Sequence, residues 1–446
     1  MPGMLDKPRP NDHPKQTQAG WRDRASSSLS QATPVFKVAG WVVAGVALVV
    51  LGRVAYLATE DGTYKRELVL VGLGSVITAF AAAGVAFLAL FSEFQRMREQ
   101  DTLKRFAGDS WQRQSVRVGR MEIPDVAVVR ASNAGVQWTE LADLVFEPFA
   151  EPRELAPELK AHRDAVVAEV SEEARRKGLP MFDGDAVDIV DAKVDLIRGA
   201  DGRKRPQYTL TPAPAKYFDF LGTTANLDAR LDGGPTLREL SREMVGFDPQ
   251  GIDKLDQLPA MAKLGSGTAV VTSDERIVLG VRGKLMIAGA LDADDARSVI
   301  HVVAEGVDPA DVDRNALLNP RETALRGLEE ELNIGNEIRH SARVTSLEDT
   351  GFFFDQLRWQ PCFAFLARID RSWEEFHPAA VAAQDAWEVE RLISLPFDIH
   401  HEGVRRLLLG THPDLVLASN HAAMYLWTAL LHKHGFTTVR DQLSRR

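Results

Sequence analysis

The sequence predicts an N-terminal two-helix transmembrane hairpin followed by an α/β (α+β) domain with a mixed sheet sandwiched by helices. Three observations carry that expectation. Two long apolar runs occupy 38–58 and 68–92. From 185 onward, short segments alternate apolar and polar residues between turn-forming Gly and Asp. One short helix with complete start and stop signals then follows an apolar segment at 299–303.

Residues 1–35 are rich in Pro, Ser, Gln and charge without an apolar period, and are expected to form a disordered tail. The first apolar run, containing Val38 and Leu51, holds a single charge, Arg53, which must snorkel to an interface. The second, from Leu68 through Phe91 to Ser92, holds none. Each reaches the roughly 20 residues that a helix needs to cross a bilayer. Arg and Lys flank the pair on its outer sides, whereas the short connection offers Lys65 and Arg66 alone. That bias predicts an inner (plasma) membrane protein with two spans and both termini in the cytoplasm. Gly40 and Ala44, and Ser75, Ala79 and Ala83, form small-residue stripes. These allow a homo-oligomer to pack through the hairpin in the lipid bilayer.

Residues 93–182 read as a cytosolic helical connector, with a clear helical run at 153–178 stopped by Gly178 and Pro180. The domain is expected over 183–446, with its core at about 265–435. Asp185–Arg198 and a segment around Tyr208 read as paired strands across Gly199-Ala-Asp-Gly-Arg. Thr236–Val245 reads as a short helix, and the preceding Gly233-Gly234-Pro235 as a plain turn. Thr268–Arg282 reads as strand, tight turn, strand.

The chain has 446 residues, of which 45% are apolar and 26% charged, enough for a sizeable core. Its net charge of −10 argues against a polymeric nucleic acid partner, because phosphate backbones demand concentrated Lys and Arg. A small nucleotide ligand held through a metal remains compatible with that balance. Cys362 is the one cysteine, which excludes an intrachain disulfide. Set in the apolar stretch 359–367 without a neighbouring partner in sequence, it reads as a small buried hydrophobe.

Residues 319–334 carry the chemistry. Asn319 suits an N-cap, Pro320 the first helical position, and Glu322 the acid of a capping box. Ala324, Leu325, Leu328 and Leu332 form the apolar face, and Asn333 tolerates the left-handed conformation that ends a helix. Glu322, Arg326 and Glu330 lie four apart on one face, with Glu331 alongside. Carboxylates in that arrangement can hold Mg²⁺, a hard cation that prefers oxygen ligands; they can equally form a solvated acidic face.

Arg326, Leu328, Glu330, Glu331 and Ile334 resemble the signature helix of the Nudix hydrolases. Thr268–Arg282, Ala304-Glu305-Gly306 and Phe352–Phe365 are similar to that family's neighbouring strands, and Asp385–Glu390 to its late acidic stretch. The resemblance implies Mg²⁺- or Mn²⁺-dependent cleavage of a pyrophosphate bond in a nucleoside diphosphate linked to another group. It implies that Glu330 and Glu331 hold the metal, with Glu305 contributing from the strand end. Arg326 would orient the carboxylates, and Glu388 would complete the shell or act as base. The sequence departs from the motif in several places: Gly327 replaces the family's first helix glutamate, the loop Val307–Leu318 is longer and puts Leu318 where the motif's glutamate would fall, and Asn333 replaces the usual glycine. The architecture of two spans followed by such a domain is similar to membrane effectors of bacterial antiphage signalling; with Gly327 and the small-residue stripes, it implies the alternative of a nucleotide sensor that controls the hairpin. A scaffold that makes only protein contacts is the third reading.

Among the remaining residues, His400-His401-Glu402 and His432-Lys433-His434 carry metal-capable atoms, but neither group is a complete ligand set at a recognisable spacing. They read as surface or core histidines. Trp373, Trp387 and Trp427 read first as core.

Overall fold

In this computed structural model the described residues are 114–445, apart from 136–139, 141, 179–180, 200–201, 229–233, 241–251, 283–296, 336–339, 381–382 and 384–388. The chain divides into two compact units, Met1–Gln100 and Asp101–Arg446, and the described residues all belong to the second. The expected spans, with Val38, Leu51, Leu68 and Phe91, lie outside them. Among the described residues no helix is long and apolar enough to cross a membrane. The longest of these helices, Pro157–Lys177, has 21 residues but carries Glu, Asp, Lys and Arg along its length. For the described residues the expected fold class is therefore corrected to mixed α+β in which no helix spans a membrane, and the inner-membrane localisation is withdrawn with it.

The strands are β1 (Ser115–Val118), β2 (Met121–Pro124), β3 (Val126–Ala131), β4 (Asp143–Phe146), β5 (Asp185–Arg198), β6 (Lys204–Lys216), β7 (Gly265–Val271) and β8 (Arg276–Arg282). They continue as β9 (Ser298–His301), β10 (Val303–Gly306), β11 (Val344–Asp355), β12 (Gln360–Ile369), β13 (Val389–Pro396) and β14 (Leu415–Leu417). The helices are α1 (Pro157–Lys177), α2 (Tyr217–Leu221), α3 (Pro320–Leu332), α4 (Trp373–Ala380), α5 (Glu402–Leu408), α6 (Asn420–His434) and α7 (Phe436–Ser444). Residues 115–146, expected within a helical connector, thus supply four strands. The short Val-rich segments there alternate exposed and buried positions, a strand period.

A nine-stranded mixed sheet runs β14-β9-β8-β7-β12-β11-β3, with β10 added on β7 and β13 on β8. β7 is its centre: all seven residues are buried, and it runs parallel to β12. Its other edge is divided. Gly265–Thr268 pair with β10, and Val270 and Val271 pair with β8. Alternation along the neighbouring strands feeds two cores. Phe352, Phe354, Phe363 and Phe365 point into a core shared with Ala324, Leu328 and Leu332 of α3. Phe353, Ala364 and Leu366 point into a second core, shared with Met424, Leu426 and Leu430 of α6. Helices α3 and α6 therefore cover opposite faces of the sheet.

The first core extends to Val187 and Ile189 of β5, Tyr208 and Leu210 of β6, and Leu159 of α1. The β5–β6 hairpin, with β4 added parallel to β6, forms a separate three-stranded sheet. A buried ion pair ties it to the segment entering β7. Arg153 Nε donates to Asp188 Oδ2 at 2.7 Å, and its other nitrogens donate to the carbonyls of Leu258, Ile189 and Leu255. Asp188 in turn accepts from the Ala262 N–H at 2.8 Å. This saturation matters, since a buried charge without such partners would be strongly destabilising.

Helix α6 lies close on β7 because position 267 has no side chain. A Cβ there would overlap the Tyr425 ring. Gly267→Ala is expected to push α6 off the sheet and cost about 1–3 kcal/mol of stability. Urea unfolding of the variant checks this, and a midpoint equal to that of the parent would remove the close approach as a constraint.

Candidate functional site

Helix α3 starts and stops on local chemistry. The Asn319 side chain accepts from the Arg321 N–H at 3.3 Å, Pro320 opens the first turn, and Asn333 ends the helix at φ 54°. Glu322 departs from a standard capping box. It accepts from the Asn319 side-chain amide at 3.2 Å, while the Asn319 backbone N–H goes to the carbonyl of Asp311 at 2.8 Å. The cap is thereby tied to the loop Val307–Leu318. Ala324, Leu328 and Leu332 are buried as their spacing requires, and so are Thr323, Gly327 and Glu331.

Arg326 gathers the site. Its guanidinium meets Asp311 at 3.1 Å, Glu305 at 3.3 Å and Glu330 at 3.2 Å, and donates to the Gly306 carbonyl at 2.8 Å. Burial alone would lower its pKa, but the bond to Asp311 and the fields of Asp311, Glu305 and Glu330 outweigh burial and raise it. The guanidinium is thus a permanent cation, and it holds the end of β10, the long loop and α3 in one network. Glu331 does different work: it accepts from the Ala304 N–H at 2.9 Å and pins the helix to the strand. The structure therefore brings Arg326, Glu305 and Glu330 together, with Glu331 alongside on the same strand end. Glu388 lies outside the described residues.

Gly327 has a spatial explanation. A Cβ at this position would overlap Cγ of Glu305 and come within 3.2 Å of Val303. The space beside the helix at 327 is filled by the side chain of Glu305 from β10.

Two residues of this neighbourhood were missed by sequence reasoning. Asp311 is buried and accepts from the Thr323 hydroxyl at 2.7 Å, from the Asp308 N–H at 3.0 Å and from Arg326. Its one signal in the sequence is an acid five positions after Gly306. Lys263, just before β7, sets its ammonium over the rings of Tyr217 and Phe220 at 4.8 and 4.7 Å. Its ammonium also abuts Gly306. Burial pushes the Lys263 amine down to about 8 against the pull of Glu305. No local pattern marks that lysine. A cavity of about 230 Å³ adjoins the same segment through Asp188 and Met261. It falls short of the roughly 300–1,000 Å³ of ordinary ligand pockets, so the Arg326 neighbourhood is the stronger candidate.

Hard carboxylate oxygens suit Mg²⁺ or Mn²⁺. Yet Glu305, Glu330 and Glu331 are not a group whose ligand atoms all lie within 4.8 Å of one another. Among the described residues Asp398, His400 and His434 form such a group. Glu305 and Glu330 instead share one nitrogen of Arg326.

Cys362 is buried, as expected, but not among apolar groups alone. Its thiol is within hydrogen-bonding reach of His421 and Tyr425 on α6. His421 Nε2 lies 2.6 Å from Asp355 Oδ2, off the line of a well-aligned hydrogen bond, so the contact is chiefly an ion pair. Burial opposes charge on the ring, but Cys362 and Asp355 outweigh it and push His421 up to about 10. For Asp355, burial is likewise outweighed by His421, and its pKa falls below the usual carboxylate range.

No known protein family model matches the chain, and no curated protein matches it.

The Asp355–His421 pair sets a pH signature. The histidine's folded pKa lies above its unfolded value of about 6.5, so its contribution is full below about pH 6.5 and fades as pH rises toward about 10. The aspartate's contribution is present above about pH 4 and is lost as pH falls further. Asp355→Asn should therefore cost about 3–5 kcal/mol at pH 6, and much less at pH 10. Urea unfolding at the two pH values reads the difference, and an equal cost at both would mean that the ring is uncharged.

Proposed function

We propose that this chain is a Nudix-like hydrolase that cleaves the pyrophosphate bond of a nucleoside diphosphate linked to another group, in a reaction dependent on Mg²⁺ or Mn²⁺. The observation that carries the reading is the Glu305 side chain, which fills the space beside Gly327 and sets its carboxylate on Arg326. The departure of Gly327 from the signature helix is thus matched by a compensating acid, rather than left as a gap.

Glu305, Glu330 and Glu331 would hold the metal, which when bound neutralises the phosphate oxygens and lowers the pKa of bound water. The chain's own groups prepare the site for that chemistry. Arg326, clamped by Asp311, fixes the directions of Glu305 and Glu330. Glu330 is the least buried of the three carboxylates around it, with 28% of its side chain exposed against 21% for Glu305 and 8% for Asp311. Water and a metal can therefore reach it most readily of the three. The Lys263 amine, held near 8, adds a cation beside Glu305 that can neutralise a phosphate oxygen at neutral pH. Glu388 keeps the role that the resemblance assigns to it, as a further acid or base.

A second reading, a nucleotide-binding sensor without turnover, is favoured by one observation. Both Glu305 and Glu330 are engaged on the same nitrogen of Arg326. A ligand's own cation could then bind without forming a hydrolytic centre.

The test is release of phosphate and nucleotide by the full chain from a panel of nucleoside-diphosphate derivatives, with Mg²⁺ or Mn²⁺. The Glu330→Gln/Glu331→Gln double variant should lose about 10²-fold or more in kcat/KM. Turnover that survives the double substitution removes the hydrolytic site from this helix, and binding without turnover in the parent establishes the sensor reading. A companion variant, Gly327→Glu, restores the family's residue. It should lower stability and turnover, because its side chain competes with Glu305 for one volume. A gain in turnover would show that Glu305 does not stand in for the missing acid.

A further inference from the structure

Two histidine groups that looked unrelated in the sequence meet in space. His400 follows β13 in the turn leading to α5, and His434 is the last residue of α6. With Asp398 they place one ligand atom each within 4.8 Å of one another. Asp398 Oδ1 and His434 Nε2 are 3.7 Å apart, and the rings of His400 and His434 lie edge to face with centroids at 6.0 Å. We propose that Asp398, His400 and His434 form a zinc site, with the fourth position open to water.

The chemistry of the donors selects the metal. Two imidazoles and one carboxylate match the borderline-soft preference of Zn²⁺, whereas Mg²⁺ prefers an all-oxygen shell. Tetrahedral zinc at about 2.0–2.1 Å from each donor places the donors roughly 3.3 Å apart. The Asp398–His434 edge at 3.7 Å is already near that value. His400 is exposed, and rotation of its side chain covers the remaining gap.

The local backbone prepares the other two ligands. Asp398 Oδ1 accepts from the His400 N–H at 2.9 Å, and the Asp398 carbonyl accepts from the His401 N–H at 3.0 Å, which fixes the turn. His434 is held with only 14% of its side chain exposed. Its Nε2 accepts a long hydrogen bond from the Ile399 N–H at 3.5 Å, a contact that a bound zinc would displace. The neighbouring cation does not oppose a metal at full strength. Lys433 is bonded to Glu275 at 2.7 Å and to the Phe397 carbonyl, and lies over the Phe397 ring.

This site is independent of the proposed hydrolytic centre. His434 ends α6, on the face of the sheet opposite α3. A bound zinc would clasp the end of α6 to the turn before α5, where the protein's own contacts are a carboxylate–imidazole approach at 3.7 Å and a ring edge. The consequence is structural: a gain in stability conferred by zinc and not by Mg²⁺.

The experiment uses the full chain, stripped by a chelator and dialysed, then titrated calorimetrically with zinc in parallel with thermal unfolding. One zinc per chain and a rise in Tm are expected, both retained in His401→Ala. His400→Ala and His434→Gln should each weaken zinc binding by at least about tenfold and abolish the rise in Tm. Because His400 is exposed, its variant reads the site even if His434→Gln fails to fold. Absence of zinc binding by the parent overturns the proposal. So does unchanged affinity in His400→Ala, or a loss in His401→Ala equal to that in His400→Ala.

Discussion

Strand β7 is buried along its whole length, and its second edge is divided between two partners, β10 over the first half and β8 over the second. Much of the remaining architecture follows from that division. A buried strand must satisfy the hydrogen bonds of both edges. With that edge shared, β9 pairs with β8 while β10 pairs with β7, the two meeting at Val302. Glu305 and Gly306 are carried on the end of β10, opposite Ser266 and Gly265, and α3 packs against that strand. The carboxylate network is therefore a product of sheet geometry before it is a product of helix sequence. Small residues in β7 make the arrangement possible, since Gly265 and Gly267 leave room for Gln360 and for the Tyr425 ring.

Charge in this unit is concentrated in groups that neutralise one another at specific points. Arg326 answers three acids, Arg153 answers Asp188 and three carbonyls, and His421 answers Asp355. Each group connects segments far apart in sequence. Such groups add little net stability compared with apolar packing of the same volume, but removing one member leaves a buried charge without a partner. Their effect is to make the relative placement of loop, strand and helix discrete. For the Arg326 group that discreteness fixes the directions in which Glu305, Asp311 and Glu330 point.

How much of this was legible follows from the range of the physics involved. Caps, breaks and strand periods act over a few residues. Helix α3 with its Asn319 and Asn333 ends, the stop of α1 at Gly178, and the extent of β5 could accordingly be read directly. The likeness to a signature helix pointed to Arg326 and Glu330, but the partners of Arg326 come from other elements. Asp311 arrives across a long loop, and Glu305 occupies the space at Gly327 only because β10 pairs with β7 in one register. The same reason hid the meeting of Cys362 with His421 and that of His400 with His434, each joining segments 30 or more positions apart. The β1–β4 segments were obscured by their shortness, four to six residues each, within a charged region that reads as helix. The apolar runs at 38–58 and 68–92 promised a membrane architecture that the described residues do not carry.

The edge strand β3 has a consequence for how the chain is made. It is among the first of the described segments to leave the ribosome, yet its sheet partner is β11, with Ala131 opposite Gly351 and Val126 opposite Asp355. Some 220 residues separate the two, and at about 5–20 residues per second the early strand waits roughly 10–45 s for its partner. During that interval Val126, Val128 and Val129 present an apolar ribbon with both edges unsatisfied. Nascent β3 is thus a natural client for a chaperone, and slow synthesis between 131 and 351 lengthens its exposure.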